Sequence, residues 1–207
     1  PGAHSLRSYI NSWPDGAGQV SGSEGGWTLS VKLEVVPGPA PRNVLAAIPL
    51  YNADYGADTP DPEIPFSLPE GTTKASLSYT VSGHGGGAAI GDCIGPAEEF
   101  CKRTHHILLD GAEFIDFIPW RGDCTTFCTV TDNPGPSGPA KYCAENPCGA
   151  ISSVNAPRAN WCPSAVVKPF TGPITLGPGE HSFGFRVDGV VAGGSWTTSA
   201  IVYAYGD

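Results

Sequence analysis

Apolar and polar positions alternate with a period of two along most of this chain. Trp27, Leu29, Val31, Leu33 and Val35 fall on one side of an extended segment, with Thr28, Ser30, Lys32 and Glu34 on the other. Ala75, Leu77, Tyr79 and Val81 oppose Ser76, Ser78, Thr80 and Ser82 in the same way, and His181, Phe183, Phe185 and Val187 oppose Ser182, Gly184 and Arg186. That period belongs to a half-buried strand, whose successive side chains point to opposite faces. Trp196 to Tyr205 predicts a last strand. Asp110-Gly111, set between the apolar runs 107–109 and 114–117, predicts a hairpin turn. With 28 Gly and 21 Pro spread between the runs, turns are frequent and strands short. Only 15% of residues are charged, too few to clothe long amphipathic helices, so the predicted class is all-β.

The segment Pro37-Gly38-Pro39-Ala40-Pro41 divides the chain, because three prolines in five residues cannot sit inside a central strand. Residues 39–207 carry enough regularly spaced strands for a two-sheet sandwich. Residues 1–38 suit only two strands, at 5–13 and 27–36. A lone hairpin is marginal in water, so these two are expected either to extend the sandwich or to complete an upstream domain.

A net charge of −9 argues against nucleic acid and anionic lipid as partners, since phosphate is bound by clustered Lys and Arg. No apolar run is long enough to span a bilayer. Seven cysteines lie between Cys93 and Cys162 with no Cys-x-x-Cys spacing, which favours disulfides over a zinc ribbon or a redox site. A secreted or periplasmic protein is the expectation. Methionine is absent, position 1 included, which leads us to expect processing ahead of Pro1, with an arbitrary chain boundary as the plainer alternative.

Four stretches together resemble the peptide-N-glycosidase F family: Val81-Ser82-Gly83-His84-Gly85, Ala97-Glu98-Glu99-Phe100-Cys101-Lys102-Arg103-Thr104-His105-His106-Ile107, Pro119-Trp120-Arg121-Gly122-Asp123-Cys124, and Arg158-Ala159-Asn160-Trp161-Cys162-Pro163. Their order agrees with that family over residues 42 to 205. The resemblance implies an antiparallel jelly-roll β-sandwich at 39–207. It also implies that residues 1–38, with Tyr9-Ile10-Asn11-Ser12-Trp13, are the last strands of a second, adjacent jelly roll. The implied activity is hydrolysis of the amide joining asparagine to N-acetylglucosamine in N-glycoproteins, without a cofactor or metal. The family's essential aspartate lies on the first domain, so a second chain or a cleaved amino-terminal domain is the implied partner, beside the N-glycoprotein or glycopeptide substrate.

By the same resemblance Glu99 and Arg158 are the catalytic candidates, and Trp13, Asn11, His84 and Trp120 the substrate-binding ones. Asn11 replaces a glutamate of the family, and His84 a frequent tryptophan. Amide hydrolysis needs an oriented water, a stabilised oxyanion and a proton for the leaving amine, which a carboxylate and a guanidinium can help supply. Taken alone, Glu99 is an ordinary surface carboxylate and Arg158 an ordinary loop cation. Aromatic rings suit the C–H faces of sugars. Trp13 stands between that role and packing, Trp120 suits either, and Trp161 is expected to pack against a disulfide. Cys124 with Cys162 is the pairing the family suggests. Cys93 with Cys101 would clip the Glu99 loop, leaving Cys128, Cys143 and Cys148 for one bond and one remainder. Two other readings stand beside the amidase. One is a non-catalytic jelly-roll module that binds glycan or protein. The weaker one is a copper monooxygenase-like domain using His84, His105 and His106, although neighbouring strand residues cannot both reach one metal.

Overall fold

The computed structural model describes residues 42–86, 91–132, 141–146 and 150–207, together with positions 31, 32, 34 and 38. Asn11, Trp13, Cys148, the strand expected at 5–13 and most of that expected at 27–36 lie outside the described residues. The chain divides into two compact units, Pro1–Pro39 and Ala40–Asp207.

Two four-stranded antiparallel sheets form the second unit. The first sheet runs in the order β1 (Val44–Gly56), β10 (Gly194–Tyr205), β3 (Lys74–Gly85), β8 (Phe170–Ile174). The other runs β2 (Glu63–Leu68), β9 (Gly179–Val187), β4 (His105–Leu109), β5 (Ala112–Phe117). The pairs β1·β10, β2·β9, β3·β8 and β4·β5 nest inside one another, so the chain is a long antiparallel ribbon rolled across two sheets. That is the jelly roll, and the fold is the all-β sandwich the sequence predicts. A small hairpin, β6 (Val130–Asp132) with β7 (Lys141–Cys143), and a one-turn helix α1 (Ile151–Asn155) occupy the connection from β5 to β8.

The alternation becomes burial as expected. On β3, Ala75, Leu77, Tyr79 and Val81 are buried, while Ser76, Ser78 and Thr80 are only partly covered. They meet Phe183 and Phe185 of β9, Ile107 of β4, and Trp196, Ala200 and Val202 of β10 in one core. The pattern fails at Gly184, which points outward in register yet is covered: a Cβ there would lie 2.9 Å from the Pro62 carbonyl. The Asp110-Gly111 turn joins β4 to β5 with positive φ at both residues (51° and 73°), as a two-residue hairpin requires.

Two neighbouring histidines separate to opposite faces of β4. His106 faces out, its ring nitrogens 2.8 Å from Glu113 and 3.0 Å from Asp188. His105 is wholly buried, with Nδ1 3.0 Å from the Tyr79 hydroxyl and its ring 4.4 Å from that of Trp196. His105 Nε2 finds no partner among the described residues. No three of His, Cys, Asp or Glu among the described residues gather closely enough to hold a metal ion.

Burial holds the His105 imidazole neutral down to about 3. Unfolded, the same ring takes up a proton below about 6.5. Stability from this residue is therefore complete above that value and falls by about 1.4 kcal/mol per pH unit as the pH drops towards 3. Urea unfolding of wild type and His105→Phe between pH 7 and pH 4 checks this; the variant's stability curve is expected to be flatter by that amount.

Candidate functional site

The rolled ribbon passes between the two sheets for the last time along two connections, residues 86–104 between β3 and β4 and residues 118–169 between β5 and β8. Because the two arms run antiparallel, both crossings occur at the same end of the sandwich. Each crossing carries one catalytic candidate, and topology brings the two together.

The first crossing is clipped by the Cys93–Cys101 disulfide, which frames a single 3-10 turn, Glu98–Phe100. Adjacent residues of that turn point in different directions, and the two glutamates have different fates. Glu98 is completely buried. Its Oε1 accepts from Arg103 Nε at 2.9 Å and Trp196 Nε1 at 3.0 Å; its Oε2 accepts from Arg103 Nη2 and the Val191 amide, both at 3.2 Å. Glu99 points to the rim, its side chain 23% exposed.

The second crossing is tied at its two ends by Cys124–Cys162, while Cys128–Cys143 fastens the β6–β7 hairpin. Just upstream of each member of the first bond, Arg121 and Arg158 pair their backbones, N to O, at 2.8 and 2.9 Å. The segment from Arg158 to Trp161 then lies along β3 beyond the point where β8 stops pairing, at Tyr79. Gly83 N donates to Ala159 O at 3.1 Å, Asn160 Nδ2 to Val81 O at 2.9 Å, and Trp161 Nε1 to Gly83 O at 3.0 Å. Ala159 N donates to Glu99 O at 2.8 Å, closing the two crossings on each other. The approach demands glycine at 83, where a Cβ would stand 2.7 Å from that of Ala159.

Arg158 and Glu99 meet here, Nη1 to Oε2, at 2.7 Å. The guanidinium is held between two rings, 4.7 Å from the centroid of Phe100 and 4.6 Å from that of Trp161, and its Nη2 donates to the Ser153 carbonyl and hydroxyl. Arg158 Nε is buried without an acceptor among the described residues, and the ion pair engages Oε2 of Glu99. His84, at the end of β3, lies beyond Trp161 with ring centroids 5.1 Å apart. Its Nε2 shares a hydrogen bond with the Ser82 hydroxyl at 2.8 Å. Burial lowers the His84 pKa, against the pull of Glu99 and Asp54, and the Arg158 charge lowers it further. The structure thus unites Glu99, Arg158 and His84. Trp120 is half-buried under the Lys102 ammonium, 5.6 Å away.

Trp161 packs on Arg158 and His84, and its carbonyl lies 3.6 Å from Cys124 Sγ of the neighbouring disulfide. Glu98, Arg103, Phe100 and Ser82 escape sequence reasoning. The doubled acid Glu98-Glu99 ahead of Cys101 marks the place, but nothing in it tells which carboxylate turns inward or that Arg103 rather than Lys102 meets it.

The two glutamates predict opposite mutant behaviour. In Glu98→Gln the amide nitrogen replaces an oxygen that accepts two donors, and Arg103 loses its counter-charge in a dry interior. The expected loss is about 3–5 kcal/mol, about 10 °C in thermal midpoint for a domain of this size. Glu99→Gln keeps an acceptor for Arg158 where water reaches, and its midpoint is expected to move by only a few degrees. Thermal unfolding of both variants checks the contrast.

Comparison with known proteins places these features. The family model described as Peptide-N-glycosidase F, C terminal, matches residues 51–205. No curated protein matches the chain. Among solved structures, PNGF-II is 24% identical with a TM-score of 0.57, over 80% of this chain and 30% of that one. PNGase F, a glycosylasparaginase from Flavobacterium meningosepticum, is 22% identical with a TM-score of 0.54, over 78% of this chain and 51% of that one. The chain spans between about a third and a half of the solved relatives it matches. At these identities the structural likeness is one of fold, and the family assignment rests on the matched residues: the chain belongs to the peptide-N-glycosidase F carboxyl-terminal family.

Proposed function

We propose that this chain is the carboxyl-terminal part of an exported amidase that hydrolyses the asparagine–N-acetylglucosamine bond of N-glycoproteins. The observation that carries the reading is the Glu99–Arg158 pair, 2.7 Å apart at the rim of the sandwich and fixed by two disulfide-clipped crossings. Arg158 occupies one carboxylate oxygen, leaving Oε1 to orient the attacking water. A guanidinium beside the scissile carbonyl offers positive charge to the oxyanion, in a setting where rings and backbone exclude competing solvent. The aspartate that the family resemblance assigns to a neighbouring sandwich would come from an amino-terminal domain or chain, and Asn11 and Trp13 stay substrate-binding candidates by the same resemblance. Three disulfides suit a secreted or periplasmic location. No helix among the described residues is long and apolar enough to cross a membrane.

The test is glycan release from a denatured N-glycoprotein by the chain with its amino-terminal partner. Wild type is expected to release glycan, and Glu99→Gln to be slowed by about 10²–10³-fold with its glycopeptide affinity little changed. Glycopeptide binding without release in any mixture would favour the non-catalytic glycan-binding module instead.

A further inference from the structure

The outer face of the first sheet has a relief that follows from its residues. β3 lies between β10 and β8, and its outward side chains there are small: Ser76 and Ser78, with Thr80 next in the row. Larger ones flank them. The register sets Tyr203 of β10 and Pro173 of β8 on either side of Ser76, and Ile201 and Thr171 on either side of Ser78. A low row between two higher ones makes a trough. The structure has one of about 440 Å³ at this place, within the size range of small-ligand sites.

Arg42 and Tyr205 stand at one end of it. The guanidinium lies 5.6 Å from the centroid of the Tyr205 ring, whose hydroxyl is 3.3 Å from that of Ser76. Around that end the trough adjoins a larger cleft of about 880 Å³, which shares Arg42, Pro173 and Tyr205 and adds Lys74.

The lining chemistry selects a ligand. Serine, threonine and tyrosine hydroxyls both donate and accept hydrogen bonds, as the hydroxyls of a sugar do. Tyrosine rings suit the C–H faces of sugars. Arg42 and Lys74 are cations in a chain of net charge −9, with Asp207 the acid among the lining residues. Arg42 is exposed, and its fork of five N–H donors retains capacity for a carboxylate even beside Tyr205. We propose that this trough binds an oligosaccharide bearing a carboxylate, which Arg42 holds while the hydroxyls of Ser76, Ser78 and Thr171 meet those of the sugar rings. Ser76 stands about 23 Å along β3 from Gly83, where the segment carrying Arg158 is fastened. The trough is therefore a second site, and its occupation does not depend on the amidase reading.

The experiment is calorimetric titration of the full chain with sialyllactose, with lactose and with tetraglutamate, for wild type, Arg42→Gln and Ser78→Phe. Both substitutions lie on the outer face, away from the core, and the second fills the trough without touching its charge. Wild type is expected to bind sialyllactose about tenfold or more tightly than lactose, a preference that fades in about 1 M salt. Arg42→Gln is expected to bring the two sugars within about threefold, and Ser78→Phe to weaken both by about tenfold or more. No binding of either sugar at about 10 mM overturns the inference, as does binding that neither substitution alters. Equal affinity for the two sugars in wild type removes the carboxylate from it. Tetraglutamate bound as tightly as sialyllactose also overturns it, since the trough would then take anions of any kind.

Discussion

A carboxylate with no exposure to solvent sits where the sheets and crossings of this protein converge. Glu98 accepts from Arg103, which leads into β4, from Trp196 on β10, and from the Val191 amide in the turn ahead of β10. Burying that charge is costly unless every oxygen lone pair is used, and here four donors use them. Such a group tolerates little displacement, so the 3-10 turn that carries it is fixed to the core. Glu99 inherits a defined position because its neighbour cannot move. The site is rigid on one side through electrostatics and on the other through covalent bonds.

The remainder derives from how a jelly roll is wound. A ribbon that folds over itself must cross between sheets in pairs, and each pair of crossings lies close in space while its members lie far apart in sequence. Residues 99 and 158 are such a pair. Proximity alone would leave them on two loose loops. The Arg121–Arg158 backbone bridge, the capture of the β3 edge by residues 158 to 161 and the two clips convert it into a fixed geometry.

The sandwich is legible in the sequence because alternation reports burial directly, as β3 and β10 illustrate. The hairpin at Asp110-Gly111 is legible because two consecutive positive φ values suit few residue pairs. Glu99, Arg158 and His84 are reached through family resemblance, and the fold supplies the reason they meet. Glu98 is hidden, since nothing local distinguishes an inward from an outward glutamate in a turn; its partners come from 5 to 98 residues away. The cysteine beside Trp161 is legible in the sequence, whereas its packing on a guanidinium and an imidazole is legible only in space.

The two sheets need no sulfur chemistry to hold together: their core is aromatic and aliphatic, and none of the three disulfides links one sheet to the other. Every disulfide among the described residues lies in the crossings. The core and the crossings are therefore fastened by different means, and a thiol reductant acts on the second alone. Produced in a reducing cytosol, the chain would keep Glu99 placed by its buried neighbour while the long 118–169 crossing lost its clips, so the loss of register would fall on Arg158.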